Sequence, residues 1–174
     1  MAPPGIGDKF GQPWGHADDT LEPIDPTRDD ADNPAFFGPA GTVHMTLPDW
    51  AKFVALHLRG DPANPHPQAA LLSAQTFAKL HAPNPNGIFA FDWKTRAFAR
   101  WAGDKPGDIG RTFWHSGSNT FWLCFVWVSP EIDHAVLVAC NRGVPDAPSG
   151  ALKACTDAVA ALNAQFAPNT ARGH

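Results

Sequence analysis

The sequence predicts an α+β domain in which a C-terminal helix packs on an antiparallel sheet of about five strands. Three observations lead to this fold class. Apolar residues recur at helical spacing near residue 50, and they do so again near the C-terminus. Between these segments, the chain is rich in aromatic and β-branched residues that short turns interrupt. Helices and strands that occupy separate parts of a chain are typical of α+β architecture.

The first predicted helix begins at Thr46 and ends at Gly60. Thr46 and Asp49 have the spacing of a capping box. The apolar residues at helical spacing, which are predicted to face the core, are Leu47, Trp50, Phe53, Val54 and Leu58. A second, short helix is predicted after Ser73 as its N-cap, in a peripheral position, with Phe77 and Leu80 directed inward.

Five segments from residue 87 onward have the composition of strands. They are GIFAFDW, RAFARW, RTFWH, TFWLCFVWV and HAVLVACN. The last helix is predicted from about Ser149 and should lie across a face of this sheet. Its apolar stripe consists of Leu152, Cys155, Val159, Leu162 and Phe166.

Length and charge limit the classes of function. We expect the 174 residues to form one domain over residues 1–174. The net charge of -4 has no basic block behind it, which argues against a nucleic-acid partner. The start, MAPPGIGDKF, lacks the features of a signal peptide, and no apolar run is long enough to cross a bilayer. We therefore expect no membrane association, and a location that is either cytoplasmic or not determined by the sequence.

The three cysteines lie inside apolar runs without the spacing of metal ligands. They are Cys124, Cys140 and Cys155, and we expect them to be reduced core residues.

Four segments together resemble the C-terminal part of serine β-lactamase-like hydrolases, the family of class C β-lactamases, DD-peptidases and related esterases. They are WGH at 14–16, GPAGTVHMTLPDWAKF at 38–53, HSGSNTFW at 115–122 and VLVACNRG at 136–143. The resemblance implies a truncated β-lactamase-like fold. It also implies that His115-Ser116-Gly117 opens a strand lining the active-site cleft, that WGH lies at the cleft edge, and that Asn141 ends the neighbouring strand near substrate. His115, His16 and Asn141 are accordingly the candidate catalytic residues.

The nucleophile of that family is missing from the 174 residues. None of the five serines is followed by Lys three residues later, so there is no S-x-x-K motif, and the chain has no tyrosine. Acyl-enzyme catalysis by the family's route is therefore excluded for this chain alone. Ser116 or Ser118 is a weak substitute, because adjacent residues of a strand point to opposite faces, which misaligns Ser116 with His115.

The histidines suggest a metal site instead. The resemblance brings His16 and His115 to one cleft, with His44 close by, and Asp18 can add a carboxylate ligand or orient an imidazole. Three protein ligands and one open position are typical of catalytic zinc, which activates water. These histidines also fit the family pattern without any metal. The remaining five are expected at the surface: His57, His66, His81, His134 and His174.

Two hypotheses of function follow. In the first, the chain is a zinc-dependent hydrolase of phosphoesters or activated esters, built on a truncated β-lactamase-like scaffold and acting on a small molecule. In the second, it is a catalytically inactive or split-hydrolase remnant that serves as a binding or structural domain. In both, the missing N-terminal portion should uncover apolar surface, which predicts a homodimer or higher homo-oligomer.

Overall fold

A computed structural model describes residues 13–17, 20–68, 71–83, 89–90, 93–99, 109–143 and 150–166. Its three helices are α1 (Leu47–Gly60), α2 (Ala74–His81) and α3 (Gly150–Phe166). Its strands are β1 (Phe89–Ala90), β2 (Trp93–Ala99), β3 (Ile109–Ser118), β4 (Leu123–Ser129) and β5 (His134–Cys140). Short helical turns occupy Ala35–Phe37, Gly38–Gly41 and Pro130–Ile132. None of the described helices is long and apolar enough to cross a membrane.

The strands follow one another in the sheet in chain order, from β1 to β5. β2 runs antiparallel to both β1 and β3, with Lys94 opposite Trp114 and Ala99 opposite Ile109. The predicted α+β class with an antiparallel sheet is confirmed. The prediction of about five full strands is not matched by the structure. Of the segment GIFAFDW, the described residues are the two of β1 and Trp93, which is the first residue of β2.

Residue contacts divide the chain into two compact units. Unit 1 consists of Met1–Leu47, Ser116–Phe125 and Val138–Asp157. Unit 2 consists of Pro48–His115, Val126–Leu137 and Ala158–His174. The prediction of a single domain over residues 1–174 is not tested by this division and stays a prediction.

The apolar core of unit 2 forms where α1 packs on the strands. Its buried members are Val54, Leu58, Phe113, Val126 and Val128. The predicted helix is confirmed almost to the residue, but its inward face is narrower than predicted. Phe53 is 49% exposed, since it lies about 100° around the helix from Val54, and only its ring contacts His57, at 4.8 Å between centroids. Leu47, at the first turn, is equally exposed.

The second helix is confirmed, and Phe77 is directed inward as predicted, whereas Leu80 is only half-buried. The Ser73 side chain accepts a hydrogen bond from the Thr76 amide at 3.2 Å, as an N-cap does. Phe77 and His81, one turn apart, are both completely buried. The C-terminal turn of α2 is therefore part of the interior of unit 2.

Helix α3 is confirmed, and its buried stripe differs from the predicted one at the C-terminal end. Ala151 and Cys155 are buried in unit 1, and Val159 is buried in unit 2. Phe166 is exposed, whereas Asn163, which lies one turn before it on the helix, is buried. The Asn163 side-chain oxygen lies 2.8 Å from His134 Nε2, and its amide donates to the Val159 carbonyl at 2.7 Å. Because both polar groups of Asn163 are bonded, its burial is compatible with stability.

Candidate functional site

Three segments that carry the family resemblance meet in unit 1 through main-chain hydrogen bonds. The His16 amide donates to the Phe121 carbonyl, in the turn between β3 and β4, at 3.3 Å. The Gly143 amide, just after β5, donates to the His16 carbonyl at 3.0 Å. We call the meeting point of residues 14–16, 119–122 and 141–143 the three-segment junction.

Two glycines permit this close approach. A Cβ atom at Gly15 would lie 2.6 Å from Trp122 Nε1, and one at Gly143 would lie 1.5 Å from the Thr120 carbonyl oxygen. Thr120 itself has φ 82°, which a β-branched residue rarely adopts. Strained backbone of this kind concentrates at functional sites, where the surrounding structure holds it in place. The glycines of WGH and NRG are thus explained by steric fit within the junction.

His16 and Asn141, two of the three predicted catalytic residues, contact one another directly. His16 Nδ1 lies 3.0 Å from the Asn141 carbonyl oxygen, and the Asn141 side-chain amide donates to the Trp14 carbonyl at 3.0 Å. A carbonyl oxygen only accepts, so His16 Nδ1 donates to it in the tautomer that carries its proton on Nδ1; in the other tautomer Nδ1 can accept from the Asn141 side-chain amide, 3.3 Å away. In the Nδ1-protonated tautomer, Nε2 holds the lone pair that can accept a proton or bind a metal ion.

His44 lies in unit 1 beside a carboxylate. Its Nε2 is 3.5 Å from Asp32 Oδ2, and both side chains are mostly buried. Asp32 Oδ1 accepts hydrogen bonds from the Asn119 side-chain amide and from the Asn33 main-chain amide, each at 2.7 Å. Asp32 therefore orients an imidazole on one side and the start of the β3–β4 turn on the other.

Ser118, the second serine after His115, is placed by the β3–β4 turn. Ser118 Oγ donates to the Trp122 carbonyl at 2.7 Å and accepts from the Thr120 amide at 3.2 Å. Its hydroxyl thus shapes the turn, which argues against Ser118 as a nucleophile. His115 is exposed and is the last residue of its segment in unit 2.

The predicted zinc ligands stay a prediction. Asp18 lies outside the described residues, and His115 belongs to unit 2, whereas His16 and His44 belong to unit 1. Within the described part of the chain, no three side chains of His, Cys, Asp or Glu are grouped so that they could hold a metal ion.

Unit 2 contains a buried polar network that the sequence did not lead us to expect. His81 Nδ1 lies 2.6 Å from Asp61 Oδ2, and His81 Nε2 lies 2.9 Å from His57 Nδ1. Arg111, at the start of β3, donates from its guanidinium to the other Asp61 oxygen. Phe113 covers the His81 ring, with 4.1 Å between centroids and 25° between planes. We call Asp61, His57, His81 and Arg111 the Asp61 network.

The network holds one negative charge in the interior. Asp61 and His81 have no exposed surface, and His57 is 9% exposed. Burial raises the pKa of Asp61, but hydrogen bonds from His81 and Arg111 outweigh it, so that the net pKa lies below the usual value. Burial, with a smaller contribution from the charge of His81, lowers the pKa of His57 to about 4. His57 is therefore neutral at pH 7, and the Asp61 carboxylate is ionised.

The expectation that these histidines lie at the surface is wrong for His57 and His81, which are buried. It is confirmed for His66, which is exposed, while His134 is half-buried and His174 lies outside the described residues. The helical spacing of these two histidines could have indicated that they are buried. His57 is three residues after Val54, and His81 is four residues after Phe77, which places each imidazole on the buried face of its helix.

Replacing Asp61 with Asn should lower the free energy of unfolding by about 3 kcal/mol, because the buried His81 imidazole and the half-buried Arg111 guanidinium lose their carboxylate. Urea unfolding followed by circular dichroism measures this change. The matched control is Asp30→Asn, which breaks the exposed Arg28–Asp30 ion pair and should leave the urea midpoint unchanged. Similar midpoints for the two variants would contradict a structural role of the network.

Stability should fall as the pH decreases from 6.5 toward 4. The folded-state pKa of His57, about 4, lies below the ordinary value of 6.5, so the folded state binds fewer protons in this range. The contribution of neutral His57 is complete above pH 6.5 and is lost as the pH falls, by up to about 3 kcal/mol.

Urea titrations at pH 7.5 and 4.5 test this pH dependence. The variant His57→Phe should lose less stability over that interval than the wild type, because it has no group to protonate at this position. His66→Gln, at an exposed position, should behave as the wild type. An identical pH dependence of His57→Phe and the wild type would rule out His57 as the titrating group.

Similarity to known proteins identifies the family to which these segments belong. The sequence model of the Beta-lactamase family matches residues 6–161. No curated protein and no solved structure matches the chain. The match includes the WGH, HSG and NRG segments and covers most of the 174 residues. The chain therefore belongs to the beta-lactamase family of serine β-lactamase-like hydrolases.

Proposed function

We propose that this chain supplies the substrate-binding part of a β-lactamase-like hydrolase that acts on an amide or ester carbonyl. The observation that carries the proposal is the three-segment junction, in which His16 and Asn141 contact one another. The 174 residues contain neither an S-x-x-K motif nor a tyrosine. In this proposal the acylating serine therefore comes from outside the 174 residues, either on a longer chain or on a second polypeptide.

The proposed roles follow from the chemistry of each side chain. His115 is exposed on the strand of the H-x-G motif, where its imidazole is accessible to a bound substrate and can transfer a proton. His16 presents Nε2 and is held at Nδ1 by the Asn141 carbonyl, so that it can bind or protonate a polar group of substrate. Asn141 acts as a positioning residue for His16 and for the WGH main chain.

The exposed apolar residues of unit 1 support the proposal that this chain binds a partner. Phe36 is 78% exposed, and Phe37, Val43 and Met45 are each about half exposed, all within ten residues. A folded protein that works alone seldom exposes so many apolar side chains close together in its sequence. We propose that the portion bearing the S-x-x-K motif covers them. The predicted homodimer or higher homo-oligomer is the alternative occupant.

Acylation after complementation tests the proposal. The chain is mixed with a separately expressed N-terminal portion of a β-lactamase-family hydrolase that carries S-x-x-K, and covalent labelling by a fluorescent penicillin is measured. We expect labelling that needs both components and that falls at least about 10-fold in His115→Ala, since acid–base groups contribute about 100-fold or more. The matched control is His66→Ala, another exposed histidine, which should label normally.

The absence of labelling with every such portion, or equal labelling with and without this chain, would reject complementation. Native mass spectrometry of the same mixtures distinguishes the occupants of the apolar surface. A one-to-one heterocomplex supports the proposal, and a homodimer that persists in the mixture contradicts it.

The second candidate is the zinc-dependent hydrolase of phosphoesters or activated esters. The observation that favours it is the 3.0 Å contact of His16 Nδ1 with the Asn141 carbonyl oxygen, because metal-binding imidazoles commonly donate their other N–H to such a group. The Asp32 carboxylate beside His44 can orient a second imidazole similarly. In this hypothesis His16, His44, His115 and Asp18 would hold the ion, which would supply an activated water for hydrolysis of a phosphoester or an activated ester.

Metal analysis by plasma mass spectrometry, on protein purified without an affinity tag, tests the zinc hypothesis. We expect about one zinc ion per chain, its loss in His16→Ala and its retention in His66→Ala. Hydrolysis of p-nitrophenyl phosphate or acetate should be abolished by a chelator and restored by zinc. Metal-free protein, together with activity that a chelator leaves unchanged, would end this hypothesis.

A further inference from the structure

The β3–β4 turn adopts a conformation that is unfavourable in two respects. Thr120 has φ 82°, which a β-branched residue rarely adopts. Asn119 Oδ1 is buried, and no hydrogen-bond donor reaches it within the described part of the chain. A buried polar atom without a partner costs free energy, because it has lost its hydrogen bonds to water. The conformation of the turn therefore depends on contacts that other segments of unit 1 supply.

We propose that Asp32 is a positioning residue that holds this turn and, through it, His16. Asp32 Oδ1 accepts a hydrogen bond from Asn119 Nδ2 at 2.7 Å, although the two residues are 87 apart in sequence. Only 18% of the Asp32 side chain is exposed, and a hydrogen bond to a carboxylate shielded from water is among the strong ones. Two residues after Asn119, the Phe121 carbonyl accepts the hydrogen bond from the His16 amide at 3.3 Å. Displacement of Asn119 would thus move the main-chain group that binds His16.

The opposite side of Asp32 contacts the segment that carries the exposed apolar side chains of unit 1. Asp32 Oδ2 lies 3.5 Å from His44 Nε2. The next residue, Asn33, donates from its main-chain amide to Asp32 Oδ1 and from its side-chain amide to the Gly41 carbonyl at 3.0 Å. Asp32 and Asn33 therefore connect this segment to the β3–β4 turn.

This connection joins the proposed partner surface to the proposed substrate-binding residue His16. A partner that covers the apolar side chains on either side of His44 would restrain the main chain of that segment. Because Asp32 contacts both His44 and Asn119, the restraint extends to the turn. This consequence rests on the proposed function, whereas the effect of Asp32 on the turn does not.

Amide hydrogen exchange, measured by NMR on the 174-residue chain, tests the effect of Asp32 without any partner. In Asp32→Ala, we expect the His16 amide to exchange at least about 10-fold faster than in the wild type, because the turn loses a charged hydrogen-bond acceptor. The matched control is Asp25→Ala. Asp25 is another carboxylate of unit 1, which accepts from the Thr27 main-chain amide and hydroxyl within its own loop, so this variant should leave the exchange of His16 unchanged.

A double-mutant cycle shows whether Asp32 acts through Asn119. Asn119→Ala should accelerate the exchange of His16 about as much as Asp32→Ala does, and the double variant should show no further acceleration. A general loss of packing would instead make the two effects additive. Wild-type exchange of His16 in Asp32→Ala, or additive effects in the cycle, would overturn the proposal. If circular dichroism shows that Asp32→Ala is unfolded, Asn119→Ala decides alone, and wild-type exchange of His16 in that variant overturns the proposal.

Labelling by a fluorescent penicillin in the complementation mixture tests the consequence for substrate binding. Asp32→Ala should label at least about 10-fold less than the wild type, because a displaced His16 no longer meets the substrate correctly. Asp25→Ala should label normally. A wild-type chain that is never labelled rejects the proposed function, while faster exchange of His16 in Asp32→Ala still supports the positioning role. Normal labelling of Asp32→Ala rejects the link between this residue and substrate binding.

Discussion

The buried Asp61 carboxylate is the group on which the arrangement of unit 2 depends. A charge without contact to water is costly unless each of its oxygens is bonded, and Asp61 binds His81 on one oxygen and Arg111 on the other. These partners come from the last turn of α2 and the start of β3, while Asp61 itself follows α1 directly. Satisfying one carboxylate therefore fixes two helix ends and a strand, and Arg111 is only four residues before His115.

Unit 1 is organised by a different constraint. Its three-segment junction relies on main-chain hydrogen bonds and on two positions where any side chain would collide with a neighbour. Side-chain polarity enters through Asn141 and Asp32, which orient an imidazole each. The two predicted catalytic residues of this unit, His16 and Asn141, are thus placed mainly by the path of the chain, whereas His115 lies on a strand that the Asp61 network anchors.

Sequence periodicity predicted the helices well, because burial of apolar side chains dominates helix placement. It failed where the buried face includes a polar residue. His57 and His81 have the spacing of core residues, but a sequence gives no sign of the carboxylate that makes their burial favourable. Arg111 is 50 residues from Asp61, so this pairing appears only in three dimensions. Phe53 is hydrophobic but lies off the narrow buried stripe of α1, which includes Val54, His57 and Leu58.

The resemblance to the family predicted the candidate site better than any residue pattern did. It identified WGH, HSGSNTFW and NRG as related segments. In unit 1, His16 of WGH is hydrogen-bonded to Phe121 of HSGSNTFW and to Gly143 of NRG. It could not indicate that Ser118 is used in the turn, or that Asp32 lies beside His44, because those contacts depend on side-chain geometry specific to this chain.

Main-chain hydrogen bonds do not depend on which side chain a residue carries. The WGH segment is held mostly by such bonds. Its main-chain path can therefore persist through extensive substitution, as long as Gly15 and Gly143 remain. The main-chain path of the junction can consequently be inherited while the chemistry of the side chains along it changes.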